Sequence, residues 1–203
     1  MFEIAELESP VGPLVLGARD GRLCALTFAD DWDAIAARVS RSLGDDEWRR
    51  AGDPAGAVRA MDDYFSGDVD ALDAVPIEMC GTAFQRRAWS AMRDIPAGDV
   101  ASYGELAVRI GTPRASRAVG AAAGANLIVV VIPCHRVVGS GGGLGGYGGG
   151  LERKRWLLEH ERKHERKHER SQERAQEPDH GRDRGKGSQA RRPRALATAR
   201  RGG

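Results

Sequence analysis

The chain has 203 residues, 41% of them hydrophobic, and a formal net charge of +2, so it can bury one or two small cores. The charge is unevenly spread. Residues 1–83 carry 7 Lys and Arg against 17 Asp and Glu, residues 84–161 carry 10 against 6, and residues 162–203 carry 14 against 6, so a polyanionic partner is expected to meet the second half rather than the first.

Taken in chain order, Phe2 to Leu7, Leu14 to Ala18 and Leu23 to Phe28 are short β-prone runs. Ser9-Pro10-Val11-Gly12-Pro13 and Arg19-Asp20-Gly21 separate them, the pattern of consecutive hairpins. Ile35, Ala36, Val39 and Leu43 share one helical face, as do Val58, Met61 and Tyr64 with Phe65 beside them, and an extended run surrounds Val75 to Met79. Residues 1–81 therefore read as a small N-terminal α+β domain, an antiparallel sheet with helices, holding no chemical motif. No apolar run approaches the roughly 20 residues of a membrane span, and the start MFEIAELESP has neither the basic nor the apolar region of a signal peptide. A cytoplasmic protein without membrane contact is the expectation. Cys24, Cys80 and Cys134 are odd in number, far apart and without CxxC spacing, so neither a disulfide framework nor a metal site is expected.

From Thr82 onward the punctuation is physical. Thr82 and Gln85 have capping-box spacing ahead of Phe84, Ala88, Met92 and Ile95, and Pro96-Ala97-Gly98 ends that helix. Ser102 and Glu105 repeat the box ahead of Tyr103 to Ile110, and Thr112-Pro113 opens a further helix, Arg114 to Ala123. The pair makes a helix-turn-helix. Its second helix is small on nearly every face, which suits tight packing or close backbone approach to another surface. The valine-rich run before Pro133 predicts a buried strand that Pro133 stops, leaving Cys134 at its end with His135 beside it. A Cys-His pair alone is more often an inert buried thiol than a nucleophile.

Pro133-Cys134-His135-Arg136-Val137 resembles the active-site motif of the O6-alkylguanine-DNA alkyltransferases, also called methylated-DNA–protein-cysteine methyltransferases. The resemblance takes in Phe84-Gln85, Ile95-Pro96-Ala97-Gly98, Ser102 to Ala107, Arg117 to Gly120 and Asn126 upstream, and Gly145, Tyr147, Gly149 to Leu151 and Lys154 to Glu161 downstream. It thus spans residues 82–161, in family order. It implies an α+β protein whose mainly helical C-terminal domain carries the helix-turn-helix and a short strand with the active-site Cys134. The implied activity is single-turnover repair: an alkyl group passes irreversibly from O6 of guanine in double-stranded DNA to Cys134, with no cofactor, in a monomer. By the same resemblance His135 takes the thiol proton through a water, Glu161 orients the imidazole, and Asn126 holds the intervening segment. Tyr103 donates to guanine N3, and N–H groups near Gly148 face O6. Arg117 fills the gap left by the flipped base, while Ala118, Ala121 and Ala122 let the helix into the minor groove. Val137, Ser140, Tyr147, Gly148 and Gly149 wall the base pocket, with the carbonyls of Val137 and Cys134 turned to the exocyclic amine.

Leu127, Val129 and Gly148 depart from the family's Pro, Pro and Ser or Ala. The implied pocket is roomier, open to bulky O6-alkyl groups or O4-alkylthymine. The zinc-binding set of some relatives is missing, and Cys24 and Cys80 read as structural. Residues 162–203 match nothing in the family and predict a charged tail, frayed helix passing into disorder beyond Pro178. Two other readings stay open: a helix-turn-helix protein that binds DNA without chemistry, and a cysteine hydrolase, which would turn over.

Overall fold

The computed structural model describes residues 1–45 and 47–176, with side chains in the last helix as far as residue 165. Strands β1 (Phe2–Leu7), β2 (Leu14–Arg19) and β3 (Arg22–Phe28) form at the β-prone runs and pair antiparallel in succession. The second hairpin is tight because Asp20 and Gly21 both take positive φ, 50° and 70°, the backbone of a type I′ turn. Helix α1 (Trp32–Leu43) buries Ile35 and Val39 and ends at a left-handed Gly44. Strand β4 (Trp48–Arg50) then pairs parallel to β1, so the sheet order is β3-β2-β1-β4. Helix α2 (Ala57–Ser66) buries Ala57, Met61 and Tyr64. The run around Val75 to Met79 contributes a single bridge, Ile77 to Leu23.

Helices α3 (Ala83–Arg93) and α4 (Tyr103–Arg109) each begin with a complete capping box, Thr82 with Gln85 and Ser102 with Glu105. An N-cap of this kind stabilises its helix by about 1 kcal/mol. The two-residue strand β5 (Ala101–Ser102) leads into α4. Helix α5 (Ser116–Gly124) starts two residues later than the expected Arg114. The cause is a turn closed by the Ala115 N–H on the Thr112 carbonyl at 2.8 Å.

The strand expected before Cys134 does not form. Residues 127–133 follow an irregular path with isolated bridges from Leu26 to Ile128 and from Val129 to Ile132, because Val130 sits at φ 69°, a left-handed backbone that cannot continue a pleat. Cys134 instead opens a 3-10 turn, Cys134–Arg136, followed by strand β6 (Val137–Val138) parallel to β5. Helix α6 (Leu151–Gln176) continues past residue 161, and the part of the expected tail from 177 onward lies outside the described residues.

One core runs through both halves of the chain. The Leu26 backbone bonds to the Leu127 carbonyl at 2.9 Å and the Val129 N–H at 2.8 Å, stitching the irregular segment to β3. Phe28, Trp89, Ile128, Val137 and Leu157 are buried together in the same cluster. The residues before Cys134 are thus clamped from the N-terminal sheet.

Candidate active site

Cys134 is 6% exposed, and the segment leading to it is held by one side chain. Asn126 accepts the Ile128 N–H at 2.9 Å and donates through Nδ2 to the Ile132 carbonyl at 2.8 Å and to Cys134 Sγ at 3.2 Å. Burial pushes the Cys134 thiol up, while the Asn126 donor and the Lys154 charge pull it back. In the other two cysteines burial is again the largest influence. Cys24 Sγ donates to the Gly17 carbonyl at 3.3 Å, an acceptor that favours the protonated form, and burial pushes this thiol up to about 12. Cys80 is also buried and raised.

Next to the thiol lies a fully buried charge cluster. His135 Nε2 stands 2.8 Å from Glu161 Oε1, and Arg136 donates to the same carboxylate through Nη2 at 2.9 Å and Nε at 3.0 Å. Tyr64 Oη adds a bond to Oε1 at 2.8 Å, and the Gly98 N–H one to Oε2 at 3.3 Å. Burial alone would raise the Glu161 carboxyl, but His135 and Arg136 hold it well below the usual carboxylate range. An ionised carboxylate only accepts, so Nε2 of His135 carries a proton and donates, leaving Nδ1 to face a different partner. Nδ1 is buried and has no hydrogen-bond partner among the described residues. Glu161 thereby orients an imidazole sited one residue from the thiol, the geometry of the acid in a catalytic triad.

A cavity of about 170 Å³ opens onto the thiol. It is lined by Tyr103, Gly120, Ala123, Gly124, Cys134, Gly146, Tyr147 and Gly148, and a Cβ added at Gly124, Gly146 or Gly148 would meet nothing within 4 Å. Burial and the nearby Cys134 raise the Tyr103 phenol, so it stays a donor at neutral pH. The glycine-rich wall is stapled by Lys154, whose buried Nζ donates to the carbonyls of Val137 at 2.6 Å, Gly146 at 3.4 Å and, more closely, Leu144.

Of the residues the sequence singled out, Cys134, His135, Asn126 and Glu161 come together, and Tyr103, Tyr147 and Gly148 face the cavity. Arg117, Ala118 and Ala121 are exposed on α5. Ala122 is not with them: it is 2% exposed and its carbonyl takes the Trp89 indole N–H at 2.8 Å, since the inward stripe of α5 is Val119 and Ala122. Three expected pocket residues are not among those lining the cavity. Ser140 is exposed on the loop, Val137 is buried behind the wall, and Gly149 backs onto Phe28, whose ring a Cβ there would strike at 2.1 Å. The Val137 carbonyl accepts from Lys154 and that of Cys134 from the Val137 N–H, each with a second lone pair for a further donor. The roles of Tyr64, Lys154 and Arg136 were not marked in the sequence. A lone Tyr on a helix face carries no local signal, whereas Arg136 and Lys154 stood inside the quoted motifs without a role.

The model for the DNA binding domain of 6-O-methylguanine DNA methyltransferase matches residues 83–163, and that for the ribonuclease-like domain of the same family matches residues 5–79. A methylated-DNA–protein-cysteine methyltransferase of Mycolicibacterium paratuberculosis is 46% identical over 163 residues, covering 80% of this chain and 94% of the relative. One from Shigella flexneri is 41% identical over 164 residues, covering 77% and 93%. Among solved structures, Mycobacterium tuberculosis OGT in complex with DNA superposes with a TM-score of 0.67 at 40% identity, covering 80% of this chain and 94% of that one.

Proposed function

The chain belongs to the 6-O-methylguanine DNA methyltransferase family, and from that premise we propose how its own residues carry out direct-reversal repair: Cys134 takes the O6-alkyl group of a guanine flipped out of duplex DNA and keeps it. The observation that carries this reading is the shared role of α5. Gly120, Ala123 and Gly124 line the cavity that ends on the thiol, while Arg117, Ala118 and Ala121 stand exposed on the same helix. A duplex lying on that exposed face has the cavity mouth beside it, and a base reaches the thiol only by leaving the stack, at a cost of a few kcal/mol. Arg117 is long enough to occupy the vacated space, and the small residues next to it admit the backbone to a minor groove without reading sequence.

Chemically, displacement at a saturated carbon needs a thiolate, and an ordinary thiol is only a few per cent ionised at neutral pH. The Cys134 proton passes through a water to Nδ1 of His135, and Glu161 stabilises the imidazolium. Sulfur then bonds to the alkyl carbon as the carbon–O6 bond breaks, and the electron pair moves into the guanine ring. Tyr103 donates to N3 and the N–H groups near Gly148 face O6, so the developing charge is met by donors already in place. The product thioether is a poor leaving group, so each molecule reacts once. The open space at Gly124, Gly146 and Gly148 favours acceptance of bulky O6-alkyl groups, and O4-alkylthymine is a secondary substrate on the same ground. The protein works as a monomer, in the cytoplasm.

A DNA binder without chemistry would have no use for a thiol that accepts an amide N–H beside a His–Glu pair, and a hydrolase would release its product. Intact-protein mass spectrometry after mixing with a duplex carrying O6-methylguanine separates the three. One added methyl, mapped to Cys134 and unchanged by excess substrate, is expected. Multiple turnovers, or repair by Cys134→Ala, would sink the assignment.

A further inference from the structure

The N-terminal domain, empty of chemical motifs, reaches into the charge cluster through one atom. Tyr64 on α2 is fully buried, and its Oη bonds to Glu161 Oε1 at 2.8 Å, the same oxygen that His135 Nε2 meets at 2.8 Å. Its other end is gripped as well, because the Tyr64 carbonyl lies 2.8 Å from His160 Nε2. Consecutive residues of α6, His160 and Glu161, therefore hold the two ends of one tyrosine from the other domain. We infer that Tyr64 is a positioning residue for the alkyl transfer, setting through its Oη how strongly Glu161 supports the proton that His135 takes from Cys134.

The direction of the effect follows from the donors on the carboxylate. Glu161 faces His135 and Arg136 from the turn before β6, Tyr64 from α2 and the Gly98 N–H from the loop after α3, with Tyr147 further off and the Glu165 carboxylate, one turn on along α6, against Gly98. Arg136 is always charged and neutralises most of the carboxylate. Tyr64 is the adjustable contribution: a neutral donor competing with Nε2–H for one oxygen. Without it, Oε1 turns more of its charge to His135 and favours the imidazolium. A His135 that holds its proton to higher pH cannot accept one from the thiol, so the acid limb of the reaction moves up. A residue that merely filled space would lower the rate equally at every pH.

The inference rests on the alkyl-transfer reading, and its test keeps the two apart. Single-turnover reaction with free O6-benzylguanine is followed from pH 5 to 9 for the full-length protein and for Tyr64→Phe, with thermal melts to confirm folding. The expected result is an acid limb displaced upward by roughly half a pH unit, with the rate on the plateau kept within about threefold. Site-specific 3-fluorotyrosine at position 64, a stronger donor of nearly the same shape, should displace the limb downward, and it serves alone if Tyr64→Phe does not fold. A reactive parent whose limb stays put in the folded variants overturns the inference and leaves the function intact. A parent that never reacts overturns both.

Discussion

Three buried cysteines differ in what faces the sulfur. Cys24 points at a carbonyl, whereas Cys134 accepts from Asn126 and lies within the field of Lys154. Sequence could mark Cys134 through its neighbours Pro133 and His135, but nothing in it ties a lysine 20 positions on to the thiol. Only the fold shows that Lys154 is buried with its Nζ on three carbonyls. Its charge favours the thiolate, so removing it raises the thiol further and moves thiolate-dependent reactions to higher pH. Lys154→Met, which keeps the stem, should slow iodoacetamide modification of Cys134 at pH 7 by roughly tenfold, one pK unit. It should also lower Tm, because buried carbonyls are left unpaired at about 1–3 kcal/mol each. Peptide mapping of the modified cysteine checks the first, and an unchanged rate would remove Lys154 from the thiol's environment.

At the scale of the elements, legibility tracked how local the cause was. The capping boxes at Thr82 and Ser102 and the Asp20-Gly21 turn are written in adjacent residues, and the structure has all three. The left-handed Val130 interrupts a segment that meets β3 through one bridge, Leu26 to Ile128, so valine richness pointed to a strand that does not form. Helix α5 shows a third case. An Ala-rich helix has no apolar stripe to tell inside from outside, and Ala122 was assigned to the wrong face. The exposed face nonetheless carries Arg117, which leads to a differential prediction. Arg117→Ala should slow repair of O6-methylguanine in a duplex strongly, by about 100-fold, where the cost of extrusion is a few kcal/mol. Reaction with free O6-benzylguanine, which needs no flipping, should stay within about threefold. Equal losses on the two substrates in single-turnover assays would contradict the proposed role.

For the whole molecule, the two halves are coupled more closely than the charge profile suggests. An acidic first half and a basic second half invited division into a passive domain and an active one, yet the core is continuous and Tyr64 of the first half reaches the charge cluster beside the thiol. Arg153 on α6 is the clearest tie. Its Nε donates to the Val11 carbonyl at 2.8 Å, its guanidinium lies 3.9 Å from the Phe28 ring centroid, and Nη1 reaches the Gly149 carbonyl at 3.4 Å. Phe28 in turn stands edge-on to Tyr147, with centroids 6.4 Å apart, and Tyr147 lines the cavity. The N-terminal hairpin and the end of β3 thus brace the loop that lines the cavity on the thiol. Arg153→Met keeps the stem and removes the cation–π contact, worth about 0.5–2 kcal/mol, along with both carbonyl bonds. If the brace matters, reaction with free O6-benzylguanine should slow by about tenfold, since a misplaced wall costs orientation. Iodoacetamide modification of Cys134 should be unaffected, because that small reagent needs the thiol environment and not the wall. Parallel loss in both reactions would instead mean that Arg153 supports the fold of the entire site, and a full rate with O6-benzylguanine would mean that the loop holds its shape through Lys154 alone.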